Sequence, residues 1–270
     1  MLTIELDLER DRERAIQRRA LRSLTELRGV WIDVYATAVT VSAELTAVQY
    51  GGTAAVLLLE KSVEHARATG MPCLFNFLSA LLANYLVEVD RPDAADTVWR
   101  DHALPSDLPA LLDLELQSWH TMEALSCVRI RLLAAQGATD AAEELANGLC
   151  AVATDRGLKR TVLRGVALSV LVAESGGRSD RALARLVDFL RLTQEVDYVR
   201  PLVRQRAVTR TVLRRLLGTD GHDDVRPAAE SMLDRLEDTS PPTASVFSAR
   251  ELEVLAGIRE EGAPPIVEGR

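Results

Sequence analysis

The feature that most constrains this chain is a turn residue that recurs with an alanine at a fixed distance behind it. In Gly137-Ala-Thr-Asp-Ala-Ala142 the turn residue stands five positions before an alanine, and the same offset joins Tyr50 to Ala55, Asp90 to Ala95 and Gly177 to Ala182. Each turn follows an apolar run with helical character, over 31–48, 74–89, 122–135 and 162–173, and each is followed by a second helix. Two of the second helices also end alike: Ala54 leads to Gly70 and Ala141 to Gly157, each over 16 residues, and a glycine there signals a helix C-terminus. A turn residue lets the chain reverse, and a small residue early in the second helix lets the pair approach closely. One such hairpin cannot bury its apolar face alone, so several must stack. The expected fold is all-α: a tetratricopeptide-like α-solenoid of stacked antiparallel helix hairpins. The copies start 40, 47 and 40 residues apart, longer than the roughly 34 of the standard repeat, so the hairpins are irregular.

Composition agrees with helix-on-helix packing, because hydrophobic residues make up 47% of the chain while aromatics are only 4%. The formal net charge of −8 gives the surface an acidic field that disfavours non-specific binding to nucleic acid or to an anionic membrane. Cys73, Cys127 and Cys150 are the only cysteines, an odd number without C-x-x-C spacing, which fits reduced thiols and a cytoplasmic location. The N-terminal stretch mixes acids and arginines where a signal peptide needs an apolar run. The most apolar segment, 74–87, is too short to span a bilayer and carries Asn76, Ser79 and Asn84.

Along the chain, residues 1–28 read as an N-terminal capping helix, 29–217 as tetratricopeptide-like repeats, 218–237 as a terminal helix, 238–246 as a linker stiffened by Pro241 and Pro242, and 247–270 as a further domain. The second hairpin carries an inserted loop over 102–109, whose Pro105 and Pro109 are expected to end its second helix. A single helix is expected over 201–217, with Arg206, Arg210 and Arg214 forming a basic stripe opposite Val208, Val212 and Leu216.

The segment Phe247-Ser-Ala-Arg-Glu-Leu-Glu-Val-Leu255 begins with a capping box, Ser248 three residues before Glu251. It resembles the opening of the LuxR-type helix-turn-helix, matched at Ser248, Arg250, Glu251, Leu252, Val254 and Leu255. Upstream, Arg131-Leu-Leu-Ala-Ala-Gln-Gly137, Ala141-Ala-Glu-Glu-Leu-Ala146 and Asp197-Tyr-Val-Arg-Pro201 resemble the region that precedes this domain in MalT-like transcriptional regulators, so the likeness spans roughly residues 50–256. The resemblance implies a sensor: a superhelix that binds a small-molecule inducer or a protein or peptide partner, joined in the full-length proteins to an ATPase and a DNA-binding domain. The sequence departs from that plan in two places. No G-x-x-x-x-G-K-[ST] loop occurs, so no nucleotide cofactor is expected. Pro264 and Pro265 fall where the family begins its second helix, so the helix-turn-helix is expected to be truncated and the chain not to bind an operator by itself.

His65, His102, His120 and His222 are scattered and form no ligand or nucleophile spacing, so no catalytic residue, metal or cofactor is expected. Counting six residues back from Tyr50, Asp90 and Gly137 places Glu44, Asn84 and Arg131 at equivalent positions of successive first helices, with Phe77 and Cys127 nearby. That position commonly faces the concave groove of tetratricopeptide arrays. These five residues are therefore the candidate contacts to a ligand or peptide. Two functions stay open on the sequence: the signal-sensing region of a LuxR-type regulator, or a free-standing scaffold that grips peptide segments of partner proteins.

Overall fold

In the computed structural model the described residues are 32–237, apart from 115–116, 195–197, 199 and 204. They form twelve helices and no strand. The expected capping helix, the linker and the helix-turn-helix start from Ser248 to Leu255 lie outside the described residues. In chain order the helices are α1 (Ile32–Tyr50), α2 (Gly52–Ala68), α3 (Pro72–Glu88), α4 (Pro92–Asp101), α5 (Leu108–Leu112), α6 (Trp119–Ala135), α7 (Thr139–Asp155), α8 (Lys159–Ser175), α9 (Ser179–Leu192), α10 (Arg200–Val203), α11 (Arg206–Leu217) and α12 (Arg226–Glu237).

Local chemistry explains where these helices stop. At Gly70, Asp90, Ala103, Gly137, Gly157 and Gly177 the backbone turns left-handed, with φ between 52° and 76°. Each of these residues donates its N–H to a carbonyl three residues back, and the next residue donates to one five further back: Gly137 N bonds Ala134 O and Ala138 N bonds Leu133 O, for example. This paired closure satisfies carbonyls that a helix end otherwise leaves open. Glycine fills four of the six positions because a Cβ in this conformation costs roughly 1–2 kcal/mol; Asp90 and Ala103 carry that cost. The closure at Ala103 also corrects the reading of the prolines, since the helix has ended by Asp101, before Pro105, and Pro109 lies inside the short α5. Trp99 secures this inserted loop by donating its indole N–H to Pro105 O and to Ser106 Oγ, both at 3.1 Å.

The alanines behind the turns are fully buried: Ala55, Ala95, Ala142 and Ala182 are each 0% exposed. In the first copy the residue with positive φ is Gly51 rather than Tyr50, so there the alanine follows by four instead of five. The helices of each pair pack together, α1 with α2, α3 with α4, α6 with α7, α8 with α9 and α11 with α12. The first helices also touch one another in succession: α1 meets α3, α3 meets α6, α6 meets α8 and α8 meets α11. Gly165 inside α8 marks a close approach, because a Cβ there would come within 2.5 Å of Cys150 Sγ on α7.

Two buried clusters result, one drawn mainly from α1 to α7 and the other from α8 to α12, with α8 contributing to both. Tyr85, Trp99 and Phe189 are among the largest fully buried side chains. The single helix expected over 201–217 is divided into α10 and α11, and α12 folds back on α11 as a further pair. Two arginines of the basic stripe hold that pair: Arg206 Nε donates to Leu236 O at 2.8 Å and Arg214 meets Glu237 at 2.7 Å. No helix among the described residues is long and apolar enough to cross a membrane.

Candidate functional site

A helix presents one face at spacings of three and four residues, and four first helices turn such a face to a common cavity of about 590 Å³. From α1 come Thr37, Val41 and Glu44; from α3 Leu74, Phe77, Leu81 and Asn84; from α6 His120, Glu123, Cys127 and Arg131; and from α8 Arg160, Arg164 and Leu168. Arg200 and Pro201 of α10 and Gln205 complete the wall. No residue of α2, α4, α7 or α9 lines it. All five residues selected by counting back from the turns, Glu44, Phe77, Asn84, Cys127 and Arg131, are brought together here.

Apolar side chains cover much of the wall, and the charges between them are paired. Glu123, 2% exposed, lies between α6 and α8. It accepts hydrogen bonds from Thr161 Oγ1, from Arg164 Nη1 and from Arg160 Nη2 at 3.3 Å. Burial by itself pushes this carboxyl up, but the two guanidiniums and the Thr161 hydroxyl outweigh it and hold the pKa below the ordinary glutamate range. The arginines are themselves positioned: Arg160 lies over the Trp119 ring at 5.3 Å, and Arg164 Nε donates to the Tyr198 hydroxyl at 3.2 Å.

A second pair joins α3 to α6, where Arg131 Nη1 meets Glu88 Oε1 at 2.9 Å and Asn84 Nδ2 donates to the same oxygen at 2.9 Å. Glu44 and Arg200 make the third at 2.8 Å, joining α1 to α10 across 156 residues of sequence. Cys127 sits in this wall as a thiol, its pKa pushed up to about 12 by burial and, secondarily, by the Glu123 charge. Gln205 is buried against the cavity, and its Oε1 has no hydrogen-bond partner among the described residues.

Counting from the turns found one polar residue on each of three helices and missed Glu123, Arg160, Arg164, Arg200 and Gln205. A signal for part of this set was present. Arg160, Arg164 and Leu168 recur every fourth residue on α8, as His120, Glu123, Cys127 and Arg131 follow one face of α6. Arg200 lines the cavity from α10, and the break before α11 separates it from Arg206, Arg210 and Arg214. Among the described residues no three His, Cys, Asp or Glu side chains gather as metal ligands. No family model matches the chain, and comparison with curated proteins and with solved structures finds no significant match.

Proposed function

We propose that this chain is the ligand-sensing, tetratricopeptide-like region of a transcriptional regulator of LuxR type, and that a small-molecule inducer binds in the cavity between its first helices. The observation that carries this reading is the division of labour between helices: one face from each of α1, α3, α6 and α8 converges on a single cavity while their partners supply none of its wall. A stacked array of hairpins behaves this way, with one helix of each pair facing a shared surface. Hydrogen bonds that join equivalent elements one hairpin apart support the same arrangement, as between Arg131 and Glu88 or Arg160 and Glu123, 43 and 37 residues apart.

A volume of about 590 Å³ is in the range of small-molecule sites, roughly 300–1,000 Å³, and this favours an inducer over an extended peptide. The regulator part of the reading rests on the resemblance over 247–255 and on the strings upstream of it. The sensing step is recognition: a ligand that prefers one packing of the helices shifts the population toward it, and the complete DNA-binding domain that the resemblance implies for the full-length regulator reads the shift.

The test is a thermal-shift screen of sugars, aromatic acids, amines and nucleotides against the full chain. A ligand present at a hundred times its Kd stabilises the folded state by about 2.7 kcal/mol. Ala124 of α6 lines the cavity, and Ala124→Trp, which places an indole there, should abolish the shift. If no compound raises the melting temperature, or if the shift survives in Ala124→Trp, the cavity is not the sensing site.

A further inference from the structure

We infer that the cavity takes a neutral molecule, an alcohol or phenol with a mainly apolar body, whose hydroxyl donates to Oε1 of Gln205. The inference rests on the small-molecule reading of the cavity and specifies its ligand.

The charges of the wall argue against an ion. Each arginine and glutamate that lines the cavity among the described residues already stands in an ion pair: Arg160 and Arg164 share Glu123, Arg200 meets Glu44, and Arg131 meets Glu88 behind the wall. Arg160 also lies over the Trp119 ring, and Arg164 also donates to the Tyr198 hydroxyl. A ligand with a net charge would leave water and then compete for a group that is already matched, and breaking such a pair strands its other member. A neutral ligand asks for no such exchange.

Several uncharged polar side chains of the wall are bonded within the protein as well. Thr40 Oγ1 donates to Ala36 O at 2.8 Å, Asn84 Nδ2 donates to Glu88 Oε1 at 2.9 Å, and Ser118 Oγ and Thr121 Oγ1 lie 3.0 Å apart. Gln205 differs. It stands directly before α11, where its backbone carbonyl accepts from Thr209 N at 2.9 Å. Its side chain borders the cavity, the residue is 7% exposed, and Oε1 has no hydrogen-bond partner among the described residues. An amide oxygen carries two lone pairs, and leaving them unbonded in a buried wall costs stability that an incoming donor recovers. The last torsion of a glutamine is broad, so the amide can turn its oxygen toward the cavity without disturbing the start of α11. A ligand hydroxyl supplies the donor, and Phe77, Leu81, Val128 and Leu168 supply the apolar wall on which the ligand's body lies.

The probes are 1-octanol, 4-phenylbutan-1-ol and 2-naphthol, each paired with its methyl ether, together with octanoate and octyltrimethylammonium as the two ions. Binding to the full chain is measured by thermal shift and by isothermal titration. The expected result is that at least one alcohol binds, that its ether binds roughly three- to tenfold more weakly, as loss of one neutral hydrogen bond requires, and that both ions bind more weakly than the alcohol. In Gln205→Met, which keeps the length of the side chain and removes the amide, alcohol and ether should bind alike. That variant gives up no side-chain bond at Oε1, so it should melt no lower than the parent, and the comparison of alcohol with ether in the parent needs no variant at all.

Equal binding of alcohol and ether in the parent, tighter binding of either ion, or an alcohol preference that persists in Gln205→Met overturns the inference. The cavity reading survives those outcomes as long as Ala124→Trp removes whatever binding is seen. Silence from every alcohol, while another compound from the wider screen binds in an Ala124→Trp-sensitive way, likewise refutes the alcohol and keeps the sensor.

Discussion

The first and second helices of the hairpins use the same chemistry in opposite surroundings. Around the cavity one or both members of each arginine–carboxylate pair are buried: Glu123 is 2% exposed, and the Arg200 and Glu44 side chains are 10% and 6% exposed. Between α7 and α9 a ladder of similar pairs lies at the surface. Arg178 meets Glu143 at 2.6 Å, Arg181 meets Glu143 at 2.8 Å and Arg185 donates to Asn147 at 3.2 Å, with Arg181 half exposed. The arginines of the ladder are 32% to 50% exposed, so water offers each of them an alternative to its partner. Glu123, Glu44 and Arg200 have little such alternative, because burial has taken water from them. The contrast separates charges that the fold must hold in pairs from charges that only follow the register of neighbouring helices.

The largest effect should come from the buried side. Glu123→Gln turns a buried carboxylate that accepts three hydrogen bonds into a neutral amide and should cost about 3 kcal/mol or more in chemical denaturation, since a hydrogen bond to a charged group contributes about 1.5–3 kcal/mol. The pH dependence carries the sign of the same interaction. The folded-state pKa of Glu123 is held below its ordinary value of 4.5, so its contribution is complete above that pH and is lost as pH falls through the lowered folded value. Acid unfolding of Glu123→Gln should therefore be less steep below that pH than that of the parent. Denaturation curves that overlay with the parent would remove the contrast between the two helix sets.

The seam between first and second helices should respond next. Ala142 is 0% exposed at the start of α7, and Ala142→Leu forces extra carbon atoms into a packed interface, at a cost of about 1–3 kcal/mol. The same substitution at Ala141, an exposed neighbour on α7, is the control, and urea midpoints should separate the two. The smallest effect belongs to the surface ladder: Arg181→Ala should leave the urea midpoint almost unchanged, and a loss as large as that of Glu123→Gln would show that the ladder is structural after all.

Much of the fold was legible because it is written at short range. Helix stops depend on whether one residue tolerates a left-handed backbone and on hydrogen bonds reaching three and five residues back, so Gly70, Asp90, Gly137, Gly157 and Gly177 announce themselves. Where another residue took the part, at Ala103, or where the turn moved by one, at Gly51, the reading slipped toward the neighbouring prolines and Tyr50. The candidate site was legible only to the extent that it inherits the same period. Glu44, Asn84 and Arg131 share a distance from their turns and reach one cavity, while Glu123 and Arg160 hold no equivalent position in that count.

The sequence by itself determined that this chain is helical, where its turns fall and which alanines lie beneath them, since each depends on a few neighbouring residues and on side-chain size. Tertiary structure alone decided that Glu44 meets Arg200 across 156 residues, that Glu123 sits beneath two arginines of another helix, and that the helix expected over 201–217 is divided into α10 and α11. Charge pairing between distant helices has no period along the chain. It is chosen by which faces packing brings together, and by the high cost of burying a guanidinium or a carboxylate without its partner.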